Sequence, residues 1–347
     1  MPSYRIVFYI SGHGFGHASR SREVIGTLRH RRPDIEVTVK TSAPRHLFQS
    51  VELIPFEADT GMVQVDSLSL DEAESLRRAI AFHAELPQKA AAEGRFLKDH
   101  GAHLVVGDIP PLAFAAAAAA GVPSVALGNF TWDWIYSGYS GAPDGLIRAI
   151  RDAYRQATLA LRLPMSAGFE GLESKTRDLP FIACASRRAP ADVRRSLGIP
   201  DNTSMVLTSF GAYGLRNLDM AALQRLRGYT VITDELAERG PEQPFDYQDL
   251  VRAADVVVTK PGYGIISECI ANDTAILYTS RGHFPEYEVL VREMPNYLRA
   301  QFIGQEDLLA GRWAASLERL LASPPPPIVP AVNGAAVAAD EIERILS

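Results

Sequence analysis

Two stretches of this chain repeat one arrangement: a short apolar run closes on a glycine-rich turn that leads straight into a helical pattern. Residues 5–10 run into Ser11-Gly12-His13-Gly14-Phe15-Gly16-His17, and residues 255–260 run into Pro261-Gly262-Tyr263-Gly264. A continuous apolar strand is one buried on both faces, and strand–turn–helix units of this kind build parallel α/β sheets. Further strands are expected at 36–40, 104–107 and 124–127, then at 204–210, 230–233 and 275–279. Helices are expected at about 18–31, over 70–98 with a break near Pro87, over 112–120, from Gly264 onward, and at 336–346. The pattern predicts two Rossmann-like doubly wound α/β domains facing each other across a cleft. At 347 residues the chain has the length for two such units.

The boundaries expected are 1–175 for a first Rossmann-like domain and 176–328 for a second. Residues 329–347 form a final helix beyond the stiff bridge Pro324-Pro325-Pro326-Pro327. Charge narrows the partners. With 35 basic and 41 acidic residues the net charge is −6, a poor match to general nucleic-acid binding. The two cysteines, Cys184 and Cys269, lack metal-ligand spacing and fit a reduced, cytoplasmic setting. Arg5 interrupts the opening apolar run, so no secretory leader is expected. The alanine-rich stretch 112–120 is too short to span a bilayer. Membrane contact stays open, with no basic amphipathic helix to support it.

Several chemistries are excluded by spacing. The first glycine loop reads G-x-G-x-G, and the second strand ends Val39-Lys40-Thr41 without an acidic residue, which argues against a dinucleotide cofactor. Neither G-x-x-x-x-G-K-[ST] nor G-x-S-x-G occurs, which argues against a P-loop kinase and an α/β-hydrolase. No D-x-D occurs, so a diphosphate bridged by a metal ion is not expected, and neither metal nor cofactor is assigned.

What remains is a pair of loops suited to anions and hydroxyls. Amides at a helix start favour an anion, and glycines let the backbone approach it. His17 stands where the first loop becomes helix and is the best base for a hydroxyl; His13 is the rival base or an acceptor-binding group beside Gly14 and Gly16. Asp108 ends the strand 104–107 and is placed to orient His17, though it also suits the cap of the next helix. Trp132, in the run Asn129-Phe130-Thr131-Trp132-Asp133-Trp134, offers an aromatic face to an acceptor or simply fills the core. In the second half, Pro261, Gly262 and Gly264 are placed for a diphosphate, with Ser209 and Gly211 ending a neighbouring strand. Glu268 suits either a ribose diol or the helix dipole. Arg281 and His283 would offset the charge of a leaving diphosphate. Glu286 would bind hexose hydroxyls, unless it and Glu288 are a solvated helix start.

Together these motifs resemble the GT-B glycosyltransferases. Gly14-Phe15-Gly16-His17 is similar to the glycine loop ending in histidine of the lipid II-forming N-acetylglucosaminyltransferases and galactolipid synthases. The segment from Lys260 to Glu268 resembles their donor motif. The loop from Gly12 to His17, the run Asn129-Phe130-Thr131-Trp132-Asp133 and Lys260-Pro261-Gly262-Tyr263-Gly264 resemble, in the same order, the glycosyltransferase-like N-terminal region of plant L-arabinose kinases. The resemblance implies transfer from a nucleotide-diphosphate sugar, usually UDP-linked, held by the C-terminal half, to an acceptor held by the N-terminal half. It also implies a last helix that crosses back to the N-terminal domain. The glutamine usual near the donor sugar is replaced here by Pro285-Glu286-Tyr287-Glu288. The expected activity is inverting, metal-independent transfer of a hexose-type sugar to a hydroxyl of a small molecule or lipid. The alternatives are a non-catalytic nucleotide-sugar sensor or scaffold, and a nucleotide-sugar epimerase.

Overall fold

The computed structural model describes residues 4–211, 214–233 and 245–347. Strand β1 (Tyr4–Ile10) alternates its side chains between two cores: Ile6, Phe8 and Ile10 enter one, Val7 and Tyr9 the other. All five are 0 % exposed, as a strand with helices on both sides requires. Around it lie β2 (Ile35–Thr41), β3 (Glu52–Pro55), β6 (Leu104–Asp108), β7 (Ser124–Gly128), β8 (Leu159–Arg162) and β9 (Thr176–Asp178), with the small hairpin β4 (Val63–Gln64) and β5 (Leu70–Asp71) set apart. The seven-stranded sheet has the order β3-β2-β1-β6-β7-β8-β9 and is parallel throughout. A second parallel sheet, β11-β10-β12-β13-β14, is built from β10 (Ser204–Ser209), β11 (Tyr229–Ile232), β12 (Val256–Thr259), β13 (Ala275–Tyr278) and β14 (Ala300–Phe302). The two sheets with their flanking helices form the GT-B fold.

In each sheet the order reverses beside the strand that feeds the first glycine turn. In open α/β sheets ligands bind outside the carboxyl ends of strands at such switch points. The carboxyl ends of β1 and β6 pair Ile10 with Asp108, which sets the histidine loop beside the aspartate.

One boundary differs from the sequence reading, and the break expected near Pro87 is found. Strand β9 pairs with β8, so the first sheet continues past residue 175. The stretch 70–98 divides into helices Glu72–Ala84 and Leu86–Asp99, because Pro87 fits the first turn of the second, where no amide is needed. The last helix, Gly334–Leu346, packs against the first, Phe15–Arg31. Ala338, Ala339 and Ile342 join the core that holds Ile25 and Leu28, and Arg31 pairs with Asp340 at 2.6 Å.

Candidate active site

The helix Phe15–Arg31 begins at Gly14, whose φ of 79° lies in the left-handed region that favours glycine. That turn delivers His17 to the first helical turn, where it is buried against Asp108. His17 Nδ1 lies 2.8 Å from Asp108 Oδ1. Arg20 Nη2 also lies 2.9 Å from this nitrogen; in the tautomer that donates from Nδ1 to the carboxylate, which can only accept, the Nε2 lone pair is free. Helical spacing then brings two more residues, with three donor groups, to the same carboxylate. Arg20 Nε donates to Oδ2 at 2.8 Å, Arg20 Nη2 to Oδ1 at 2.5 Å, and Ser21 Oγ to Oδ2 at 2.8 Å. Burial pushes the Asp108 carboxyl up, but the Arg20 guanidinium and then His17 outweigh it and hold the group down at about 2.

Arg20 reaches further. Its Nη1 donates to Asn129 Oδ1 at 2.8 Å, and Asn129 Nδ2 donates to Glu286 Oε1 at 2.7 Å. Glu286 belongs to helix Pro285–Glu293 of the second domain and is buried. The domains also meet backbone to backbone. A Cβ on Gly264 would lie 2.8 Å from Gly16 Cα, so the two glycine loops touch only because both lack side chains. Tyr263, the first residue of helix Tyr263–Asn272, places its ring under the Arg20 guanidinium at 5.5 Å.

A cationic patch lines the same junction. Lys260 and Arg281 are half-buried, and among the described residues neither head group forms an ion pair with a carboxylate. Burial, then Arg281, lowers the Lys260 ammonium to about 8. Burial also lowers the Arg281 guanidinium, which stands 4.6 Å over the Phe284 ring and donates to the Pro261 carbonyl at 3.3 Å. His13 lies beside them. Its Nδ1 accepts from the Met62 amide at 3.2 Å, so its proton sits on Nε2. Burial, with Arg281, His17 and Lys260 adding to it, depresses His13 to about 3, and the ring stays neutral.

The remaining expected residues are placed as follows. Glu268 Oε1 accepts from Ser19 Oγ of the first domain at 3.2 Å, while Oε2 is buried without a hydrogen-bond partner. Burial pushes this carboxyl up to about 7. Ser209 Oγ contacts the Tyr247 hydroxyl at 2.5 Å, and Gly211 follows the end of β10; the adjoining Ala212 and Tyr213 lie outside the described residues. Pro261 and Gly262 lead into helix Tyr263–Asn272, and no atom lies within 4 Å of a Cβ built on Gly262.

One expectation is corrected. Trp132 is 0 % exposed, stacks on Tyr136 and donates from Nε1 to Asp59 at 2.8 Å, so its ring is core and presents no face to an acceptor. His283 is exposed, with its ring edge-on to Tyr139 at 5.2 Å and Nδ1 3.6 Å from Glu72 Oε1. The sequence reading also missed Arg20 and Asp59. Burial raises Asp59 to about 6, against the hydrogen bonds it accepts from Ser11 and Trp132. The signal for Arg20 was its place three residues after His17, on the same helical face.

The family model for glycosyl transferase family 1 matches residues 4–133. The chain is 29 % identical to the L-arabinokinase of Arabidopsis thaliana over 97 % of its own length. It spans about a third of that protein, 34 %. A glycosyltransferase of kitacinnamycin shares the fold at a TM-score of 0.63 and 17 % identity, covering 99 % of both chains. MurG of Acinetobacter baumannii does so at 0.53 and 13 %, covering 99 % of this chain and all of its own. The fold is thus that of the GT-B glycosyltransferases, and the sequence similarity to glycosyl transferase family 1 covers residues 4–133.

Proposed function

We propose that this chain is an inverting glycosyltransferase that works without a metal ion. It moves a hexose-type sugar from a nucleotide-diphosphate sugar, taken first as UDP-linked, to a hydroxyl of a small molecule or lipid. The observation that carries the reading is the meeting of two features at one domain junction. The His17–Asp108 pair supplies a base, and Lys260 and Arg281 supply cations whose head groups form no ion pair with a carboxylate among the described residues.

In this reading the acceptor lies on the N-terminal side, near His13, Gly14 and Gly16. Its hydroxyl gives its proton to His17 Nε2, and Asp108 stabilises the imidazolium. The oxygen attacks the anomeric carbon from the face opposite the diphosphate. The bond from that carbon to the phosphate oxygen breaks, and the configuration inverts. The departing charge falls to the amides about Gly262 and Gly264 and to Lys260 and Arg281, with Ser209 and Gly211 alongside. Glu268 takes the ribose diol, and the second oxygen of Glu286 takes a sugar hydroxyl. A neutral His13 donates from Nε2–H to an oxygen of the substrate. The proposed setting is cytoplasmic, in keeping with the free cysteines Cys184 and Cys269.

Support comes from the family match and from the charge pattern. The test is a thermal-shift and calorimetric screen of UDP, dTDP and GDP with EDTA present. One nucleotide should bind and stabilise the chain, and Lys260→Met and Arg281→Met should each weaken it by roughly tenfold or more, the loss expected for a hydrogen bond to a charged group. Binding that leaves both variants unaffected would remove the diphosphate from this junction. Binding without turnover would favour a sensor, and donor conversion without acceptor an epimerase.

A further inference from the structure

Asn129 is 1 % exposed and has no freedom of orientation. On one side it meets Arg20, which can only donate; on the other it meets Glu286, which when ionised can only accept. Its amide therefore has one workable setting, Oδ1 to the guanidinium and Nδ2 to the carboxylate. The first partner belongs to the base's own helix, the second to the opposite domain. Arg20 in turn lies side-on along Asp108, the carboxylate behind His17. Tyr263, also from the second domain, covers the guanidinium from another direction.

Resting on the reading above, we propose that Asn129 and Glu286 form a polarity-matched clasp between the domains. The clasp positions Arg20, and through it the Asp108 carboxylate, so that His17 is fully oriented only when the donor-binding domain has docked. Asn129 is thus a positioning residue: it touches neither the reacting hydroxyl nor the sugar. Glu286 divides its two oxygens between the clasp and the cleft. A sugar hydroxyl bound to the second oxygen would hold the domain docked, so recognition of the donor sugar and orientation of the base share one side chain. Transfer to an acceptor, rather than loss of the donor to water from an open cleft, is the outcome such coupling favours.

A polarity swap tests this. In Asn129→Asp the new carboxylate still pairs with Arg20 but faces Glu286 with like charge, which opens the clasp. Glu286→Gln then presents an amide that donates to the new carboxylate. The effect of Asn129→Asp is measured in the wild-type and in the Glu286→Gln background, which cancels whatever Glu286→Gln does to sugar binding by itself. Two readouts are taken. Small-angle scattering and thermal unfolding of the donor-free protein report the clasp whether or not any sugar is transferred. Steady-state kinetics report kcat and KM separately. Expected in the wild-type background is a more open particle, a fall in kcat of roughly 10- to 100-fold and little change in donor KM; in the Glu286→Gln background the same substitution should cost less than threefold. Equal losses in both backgrounds would overturn the clasp. A restored compact particle with kcat still lost would leave the clasp standing and overturn its link to the base. A wild-type chain that turns over no donor would instead sink the glycosyltransferase reading, with the scattering result still standing.

Discussion

Glu268→Gln probes the buried carboxyl at the domain junction twice, by its stability and by its ligand. Burial moves the group from an ordinary value of 4.5 to about 7. At about 1.4 kcal/mol for each pH unit, that rise holds about 3 kcal/mol in favour of the protonated form. The folded chain thus binds this proton more tightly than the unfolded chain does. Its contribution to stability is complete below about pH 4.5, declines as pH rises through the interval, and is gone above about pH 7. Glutamine carries no such dependence. Denaturant unfolding should show the variant gaining up to about 3 kcal/mol on wild type between pH 4.5 and 8.5, most of it below pH 7. A donor ribose gives the second arm. Two diol hydroxyls on the carboxylate favour the anion, so nucleotide binding near pH 7 should release a proton. Calorimetry in two buffers of different ionisation enthalpy reads that release directly. The variant should release none and bind roughly tenfold more weakly or worse. A variant with the wild-type pH profile would refute the burial argument. Unchanged affinity and unchanged proton release would refute the ribose assignment.

Arg20→Met leaves Asp108 buried without its guanidinium partner, and should cost about 3–5 kcal/mol of unfolding free energy by denaturant titration. Adding Asp108→Asn to it should cost little more, because the pair acts as a unit. Gly264→Ala puts a methyl group 2.8 Å from Gly16 Cα. Backbone cannot swing aside like a flexible side chain, so a loss of about 1–3 kcal/mol and a more open particle in small-angle scattering are expected.

The parts of this molecule that local chemistry dictates were legible in its sequence. β1 could be read because an unbroken apolar run has nowhere to go but between two layers, and Gly14 because the strand must turn sharply into a helix. His17 and Asp108 could be paired because one opens the helix that follows β1 and the other ends β6, at the carboxyl edge of the same sheet. What could not be read is what depends on burial across the domain junction. Arg20 and Arg22 look alike in the sequence, yet Arg20 is 4 % exposed and fixed on Asp108, while Arg22 is more exposed and stands 3.6 Å from Glu23. Trp132 and Trp134 are likewise two residues apart on one short helix; the first fills the core and the second is only partly buried. The short strands β8, β9 and β14 carried too few residues to show a period. Their places are set by pairing to neighbours already formed.

The account stands most directly on the stereochemistry and the proton acceptor of the transfer step. Nucleotide sugars should be incubated with candidate acceptors and EDTA, the product's anomeric centre read by NMR, and wild type compared with His17→Ala. The account predicts nucleoside diphosphate released in step with glycoside, an inverted centre, indifference to EDTA, and a loss of roughly 100-fold or more in His17→Ala with donor affinity retained. A retained centre, dependence on a divalent ion, or full turnover by His17→Ala would contradict it.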